Sequence, residues 1–517
     1  MALCYGSFRP CLYLFFPCLS AHDCVPMTSS APSAPLPKYQ QLADHYRSAI
    51  QAGSLLPGQR MPSLRDMLRQ HAVSLSTVMQ VCRLLESEGL LEARPRSGYF
   101  VRPVQAARLA PVNDPPMHRP PDAAQYVGIH AKVSEFLALG RLQRFKTNLS
   151  VARCAPELYP AEALQQAALR RLRQHPDQLV RAAPPQGCLE FREVLAQRAV
   201  GAGMRLSASD IQVTNGCTEA LNLALRAVAN PGDTIAVESP TFYGLLQTLE
   251  SLGLKALEIP TSPRTGISVD AVELALRTTP GIKAVAVVPY LQNPTGSIMP
   301  NAHKQALLRL CQQHDVALVE DDTYSSLVDD AVFREEPLRA IKSWDDSGHV
   351  LHCASLHKHL APGMRLGWIS GGRWQARVEM LKFAASRGNE RLAQLAAASF
   401  IGSAAYDRYL RRLRATLVTQ RAQTAQAVSR YFPAGTRLTV PRGGLSLWVE
   451  LPNGLSATAL FHAALAENMV IAPGTIFTNS SRFDSKLRVN CGWPFTPEID
   501  HAFARLGQMV GTLASAA

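Results

Sequence analysis

The sequence has no CxxC pair, no run of eighteen consecutive apolar residues, and few charged side chains, 18% of its 517 residues. Its eleven cysteines are odd in number and irregular in spacing, four of them at positions 4, 11, 18 and 24. That pattern argues against a disulfide framework and against a structural metal site, so the thiols read as reduced, small hydrophobes. The missing long apolar run argues against a membrane span. Cys11–Leu19 is apolar and follows Arg9, like a weak signal-peptide core, but Pro17 interrupts it. A cytoplasmic protein with no membrane partner is expected. Residues 1–37 read as an unstructured extension closed by a Ser/Pro/Ala stretch, with Met27 the expected initiator.

What is present is globular. Hydrophobic residues make up 47% of the chain, which excludes wholesale disorder, and the length implies two or three domains. The formal net charge of +13 points to an acidic partner, with nucleic acid the first candidate.

Residues 38–103 carry that expectation. Leu42, Ala43, Tyr46 and Ile50 recur at helical spacing, and Gly53 with Pro57-Gly58 ends the helix. Pro62-Ser63 opens a second helix, Leu64 to His71. Ser74 and Ser76 offer caps for a third, from about Thr77 to Glu88, with Val78, Val81, Leu84 and Leu85 on one face. Gly89 suits its C′ position, and Pro95-Arg96-Ser97-Gly98 is a hairpin-like turn in Leu90–Val101. Three helices and a hairpin make a winged helix-turn-helix. It carries nine lysines and arginines against five acids. A recognition helix puts its first residues on base edges while arginines and backbone N–H groups hold phosphates.

The segment resembles the GntR-type winged helix. The family's PG-x-R-x-PS-x-R run stands here as Pro57, Gly58, Arg60, Pro62, Ser63 and Arg65. Its T-V-x(6)-L-x(3)-G spacing is Thr77, Val78, Leu85 and Gly89, and its wing is Ser97-Gly98-Tyr99. The resemblance implies that Arg65, Ser76, Thr77 and Gly98 face double-stranded DNA. Leu75 stands after Val73-Ser74 where the family often has Arg, so an operator sequence does not carry over.

Six prolines between 103 and 121 mark 104–124 as an extended, poorly packed linker. From 125 to 517 strands and helices alternate: a strand from Ile211, a helix Glu219–Val228, strands at Thr234–Glu238, Lys283–Pro289 and Ala317–Glu320. This is an α/β pattern with a mostly parallel sheet. Residues from about 395 onward, with an arginine-rich helix Tyr409–Thr424, read as a smaller α+β domain.

Four fragments carry chemistry. Ser355-Leu-His-Lys358 followed by Pro362-Gly363-Met-Arg365 offers an amine beside a hydroxyl and a guanidinium. Asp321 ends an apolar strand, where open α/β sheets bind ligands. Cys217 and Thr218 sit at a strand-to-helix turn whose backbone N–H groups suit a phosphate. Asn293-Pro-Thr-Gly296 is a turn that presents Asn293. Pyridoxal 5'-phosphate needs such a set: a lysine, an acid for the ring nitrogen, a donor for the ring 3′-oxygen, a phosphate cradle and a stacking aromatic. His352, Cys353, His357 and His359 suggest a metal cluster, but Lys358 lies among them and no metal site is expected.

Order and spacing resemble the aminotransferase superfamily of fold type I across 125–517. The resemblance implies that Lys358 is the catalytic lysine joined to the cofactor and that Asp321 pairs with its ring nitrogen. Tyr324 and Asn293 hold the 3′-oxygen, and Tyr243 stacks on the ring. Ser355, Arg365, Cys217 and Thr218 hold the phosphate, and Arg488 clamps a substrate carboxylate. Relatives commonly carry a phosphate-binding tyrosine just before Gly187; Ala182 is the counterpart here. His357 replaces a common hydroxyl residue beside the lysine. The fusion resembles the MocR subgroup of GntR regulators. It implies a cofactor-dependent transcriptional regulator, a homodimer answering to an amino compound. The alternative is an active aminotransferase with an accessory DNA-binding domain, and the residues leave transaminase activity open.

Overall fold

The computed structural model describes residues 37–51, 54–55, 58–94, 97–102, 109–142 and 146–516. The expectations for the extension before residue 37, including Met27, and the placement of Pro57, Pro95 and Arg96 lie outside the described residues.

The first domain has helices Lys38–Gln51, Leu64–His71 and Leu75–Ser87, then the antiparallel pair Leu91–Arg94 and Gly98–Val101. Ser63 caps the second helix by accepting the N–H of Asp66 at 3.2 Å, and Ser63 Oγ donates to that aspartate at 2.6 Å. Ser74, rather than Ser76, caps the third, through the N–H of Thr77 at 3.2 Å. The third helix therefore begins at Leu75, two residues before the expected start. Ala72 takes φ +49 between these helices, which turns the chain through the corner. Met67, Val78, Val81, Cys82, Leu85, Leu91 and Val101 close the core against Ala43, Tyr46 and Ile50.

The second body is built on one large mixed sheet. Its strand order is Gln125–Tyr126, Lys255–Ser262, Thr234–Ser239, Ile282–Val287, Ala317–Asp322, Val350–Ser355, Gly367–Ser370 and Gln212–Thr214. The strands from Lys255–Ser262 to Val350–Ser355 run parallel, and Gly367–Ser370 runs antiparallel to its two neighbours. The central strands are almost wholly buried because helices cover both faces, as parallel sheets require. The pairing sets Asp321 beside Cys353 and Glu320 beside His352, so Asp321 points to one face while Glu320 and Asp322 point to the other.

A four-stranded antiparallel sheet, Arg437–Thr439, Ser446–Glu450, Lys486–Asn490 and Ala472–Pro473, carries helices Ala457–Ala466 and Pro497–Ala516. Its core draws on Ala425, Val428 and later residues, joined by Val112, Phe136 and Leu149. Helix Arg391–Ile401 packs in the large body beside Ala161–Gln174. The expected start of the smaller domain near 395 thus falls inside the larger one. The arginine-rich helix runs Ala404–Tyr431, longer than expected at both ends, and passes from the large core to the small one.

The expectation of a poorly packed linker over 104–124 is corrected from residue 109 onward. Val112 is buried in the smaller core, the Ala110 carbonyl accepts the Leu438 N–H at 2.8 Å, and the Met117 carbonyl accepts Ser268 Oγ at 2.8 Å. Asp114 accepts Ser262 Oγ at 2.6 Å and pairs with Arg264. Proline removes backbone donors but leaves the carbonyls, and here they find partners on the body.

Candidate cofactor site and DNA-reading face

Strand Val350–Ser355 delivers the chain into a closed loop. The Leu356 N–H donates to the Leu366 carbonyl at 3.0 Å, and Tyr409 Oη donates to the His359 carbonyl at 2.6 Å. Inside this loop Lys358 points its Nζ at the Ala152 carbonyl, 2.6 Å away, and over the Tyr324 ring at 5.6 Å. Burial, helped by the nearby Arg488 cation, lowers the ammonium's pKa to about 8. The neutral, nucleophilic amine is therefore accessible near neutral pH.

Asp321 lies on the strand end beside it. One carboxylate oxygen accepts the Thr323 N–H at 3.0 Å, Thr323 Oγ1 at 2.5 Å and Cys217 Sγ at 3.2 Å. Burial raises this acid above the usual carboxylate range, while the Thr323 hydroxyl and the Lys358 charge pull it back. From Tyr324 a chain of contacts continues. Asn293 Nδ2 donates to Tyr324 Oη at 3.3 Å, and Arg488 donates to Asn293 Oδ1 at 2.7 Å and to the Ser150 carbonyl. The Arg488 guanidinium lies 4.9 Å over the Phe477 ring, and Tyr243 packs 6.1 Å from that same ring. Arg488 is 2% exposed, its Nε has no hydrogen-bond partner, and no described carboxylate pairs with it. A buried cation without a counter-ion is costly unless a ligand supplies one.

The third part is the start of helix Gly216–Val228. Gly216 takes φ +75. A Cβ there would sit 3.9 Å from Ser355 Oγ and 4.0 Å from the Arg365 guanidinium, so backbone, hydroxyl and cation converge on one spot. Arg365 is held by donating to the Asn215 carbonyl at 3.3 Å. Cys217 and exposed Thr218 follow in the first turn, at the positive end of the helix. His357 donates its backbone N–H to Ser355 Oγ at 3.1 Å, and burial beside Lys358 and Arg365 lowers its ring to about 4, so it adds no charge there. Ala182 is exposed.

The residues present fit pyridoxal phosphate: a buried lysine, a buried acid at a strand end, an orphaned guanidinium and a helix-terminal cradle with its own cation. Among the described residues no group of three His, Cys, Asp or Glu side chains is placed to hold a metal. Several participants had no signal in the sequence. The Ala152 and Ser150 carbonyls are backbone groups from a distant segment. Asn389, whose Nδ2 donates to Asn215 Oδ1 at 2.8 Å, comes from 174 residues away. Thr323 could have been found, since a hydroxyl two residues after an acid readily bonds to it.

On the first domain, Arg65 and Ser76 are exposed near the starts of the second and third helices, and Leu75 is 55% exposed beside Ser76. Thr77 is partly buried, with its Oγ1 2.9 Å from Ser74 Oγ, which ties it to capping. Gly98 takes φ +95 at the wing, within 3.6 Å of Arg60 Nε as measured from an added Cβ. Arg65 forms no ion pair with a described acid.

Comparison with known proteins agrees with this division. Residues 38–101 match the description of the bacterial regulatory proteins of the gntR family, and residues 146–506 match aminotransferase class I and II. The chain belongs to the aminotransferase class I and II family, fused to a GntR-type DNA-binding domain. The HTH-type transcriptional regulator YjiR of Escherichia coli K12 is 37% identical over 92% of this chain and 98% of its own. YdcR of the same organism, also an HTH-type transcriptional regulator, is 37% identical over 92% and 99%. The multiple substrate aminotransferase of Thermococcus profundus superposes with a TM-score of 0.68 at 27% identity, over 75% of this chain and 96% of that one. This GntR–aminotransferase fusion is a DNA-binding transcriptional regulator of the MocR-type architecture. Its aminotransferase relatives depend on pyridoxal phosphate. No described helix is long and apolar enough to cross a membrane.

Proposed function

We propose that this regulator binds pyridoxal phosphate at Lys358 and that an amino compound bound against the cofactor sets the protein's affinity for DNA. The observation that carries the reading is the continuous contact path from Lys358 through Tyr324 and Asn293 to Arg488. It joins a reactive amine to an unpaired buried cation of the kind that takes a carboxylate. When bound, the cofactor supplies an aldehyde that condenses with amines and a ring that withdraws electrons.

The chain's own groups do the rest. Lys358 holds the aldehyde carbon and surrenders it to an incoming amine. Asp321 keeps a proton at the ring nitrogen, with Thr323 and Cys217 fixing its orientation. Tyr324 and Asn293 hold the 3′-oxygen, and Tyr243 covers the ring. Ser355, Arg365 and the N–H groups of Cys217 and Thr218 take the phosphate. Arg488 exchanges its lone buried charge for a paired one when a carboxylate arrives. Arg65, Ser76, Thr77 and Gly98 meet the duplex. A homodimer matches two-fold operator symmetry.

Gel retardation with DNA from upstream of the protein's own gene, at fixed salt, tests the reading. The cofactor with an effective amino acid should shift the DNA affinity, and Lys358→Ala should remove the shift while leaving basal binding intact. The same titration read for keto-acid release separates regulation from turnover. Sustained release with DNA affinity unchanged would favour an aminotransferase.

A further inference from the structure

The face of the large sheet turned away from Asp321 carries polar chemistry that the cofactor site does not use. Glu320 and Asp322 project there from Ala317–Asp322, and His352 joins them from Val350–Ser355. Glu320 accepts the backbone N–H groups of Ile341 at 2.7 Å and Lys342 at 3.0 Å, and lies 3.1 Å from His352 Nδ1. Those bonds keep Glu320 ionised and the imidazole protonated, as the shift of both toward their charged forms indicates. Asp322 has no such support. Its Oδ1 is buried without a hydrogen-bond partner, and its Oδ2 is 3.8 Å from His352 Nε2, which is also unpartnered.

These orphaned atoms border a cavity of about 270 Å³ between the sheet, helix Leu189–Ala199 and the first turns of Ala404–Tyr431. Lys358, Asp321 and Arg488 do not line it; of the residues assigned to the cofactor, only Ser355 borders it. The cavity's two arginines are already matched. Arg198 pairs with Asp407 at 2.6 Å and lies over Tyr406, and Arg414 pairs with Asp330 at 2.6 Å and lies over Phe333. Lys304 is 3.6 Å from the Tyr290 ring, donates to the Arg339 carbonyl, and is not in the lining. The floor therefore combines two carboxylates with one imidazolium, one negative charge in excess, and the free oxygen belongs to Asp322. Leu195, Met204, Leu338, Ile401 and Leu410 supply apolar walls. Concave, apolar walls with a few converging polar atoms are the form of a small-molecule site, and this volume falls just below the drug-sized range.

We propose that this cavity is a second ligand site, separate from the cofactor, that takes a small organic ammonium ion with an apolar body. The ammonium N–H donates to Asp322 Oδ1, and the body lies against the leucine-lined wall.

N,N-dimethylbenzylamine is a suitable probe, because it is cationic near neutral pH, has one N–H to donate and, as a tertiary amine, cannot condense with an aldehyde. Calorimetric titration of the full-length protein should show saturable, stoichiometric binding. Asp322→Asn should weaken it by about tenfold or more, the value of one charge-assisted hydrogen bond. Ala202→Trp, a filling substitution at a cavity-lining position, should abolish it. Lys358→Ala should leave it unchanged, which separates this site from the cofactor reading. Phenylacetate, of similar size and opposite charge, should not bind. No saturable binding to the unaltered protein would mean a water-filled void and would overturn the proposal. So would equal affinity in Ala202→Trp, loss in Lys358→Ala, or a preference for phenylacetate.

Discussion

Gly367 and Gly363 lie four residues apart beside the proposed phosphate cradle and offer opposite outcomes for one substitution. A Cβ added at Gly367 would lie 2.6 Å from the Gly216 carbonyl carbon, 2.7 Å from the Ala354 carbonyl oxygen and 2.8 Å from the Gly216 Cα. All three are backbone atoms, so no side chain can rotate away. Reaching an ordinary contact of about 3.4 Å from 2.6 Å requires a shift of about 0.8 Å between strand Gly367–Ser370 and the start of helix Gly216–Val228. That shift widens the space between the Gly216 backbone, Ser355 and Arg365. Overpacking of this kind costs about 1–3 kcal/mol. If the strain is relieved at the helix start, Gly367→Ala weakens cofactor binding by about tenfold or more. Gly363 has nothing within 4 Å of its added Cβ, so Gly363→Ala should leave binding within about twofold and add slight stability through the unfolded chain. Spectrophotometric titration of each apo-protein with pyridoxal phosphate, with thermal melts alongside, makes the comparison. Equal affinities for Gly367→Ala and the unaltered protein would refute a cradle at this contact.

Arg488→Lys keeps the charge but loses the planar fork, so an amino-acid ligand should bind about ten- to a hundredfold more weakly while cofactor uptake is unchanged; a parallel loss for an amine lacking a carboxylate would contradict the clamp. Arg65→Ala should weaken DNA binding about equally across sequences and lower the slope of log affinity against log salt by about 0.9, read by fluorescence anisotropy. Glu238 is buried, accepts the Val288 N–H at 3.0 Å and is pushed up to about 8 by burial. An acid raised in the folded state contributes stability at low pH that is lost as pH rises from about 4.5 through 8, at most about 1.4 kcal/mol per pH unit. Glu238→Gln removes that loss, so its melting temperature should gain on the unaltered protein between about pH 5 and pH 8; a constant difference would show Glu238 ionised.

Much of the site was legible because its groups are carried by short local segments. A lysine after an apolar strand, an acid closing another and a glycine opening a helix each keep their meaning within a few residues. The winged domain was legible for the same reason, since caps and helical spacing are local, although two serines in succession left the start of its third helix two residues off. What stayed hidden depends on contacts across long separations. The Pro-rich run looked like a free tether because composition reports no carbonyl partners on Leu438 or Ser268. Helix Ala404–Tyr431 outran its expected ends because two cores, rather than one periodic face, hold it. The pairing of Asp322 with His352 appears only when two strands come into register.

The decisive measurement is the visible absorption of the purified protein titrated with pyridoxal phosphate, followed by borohydride reduction and peptide mapping. A saturable chromophore, its loss on reduction and a cofactor-modified peptide containing Lys358 are the results expected here, with Lys358→Ala giving neither colour nor modified peptide. A protein that stays colourless with the coenzyme supplied, or a label fixed at another lysine, would contradict the assignment on which the regulatory reading stands.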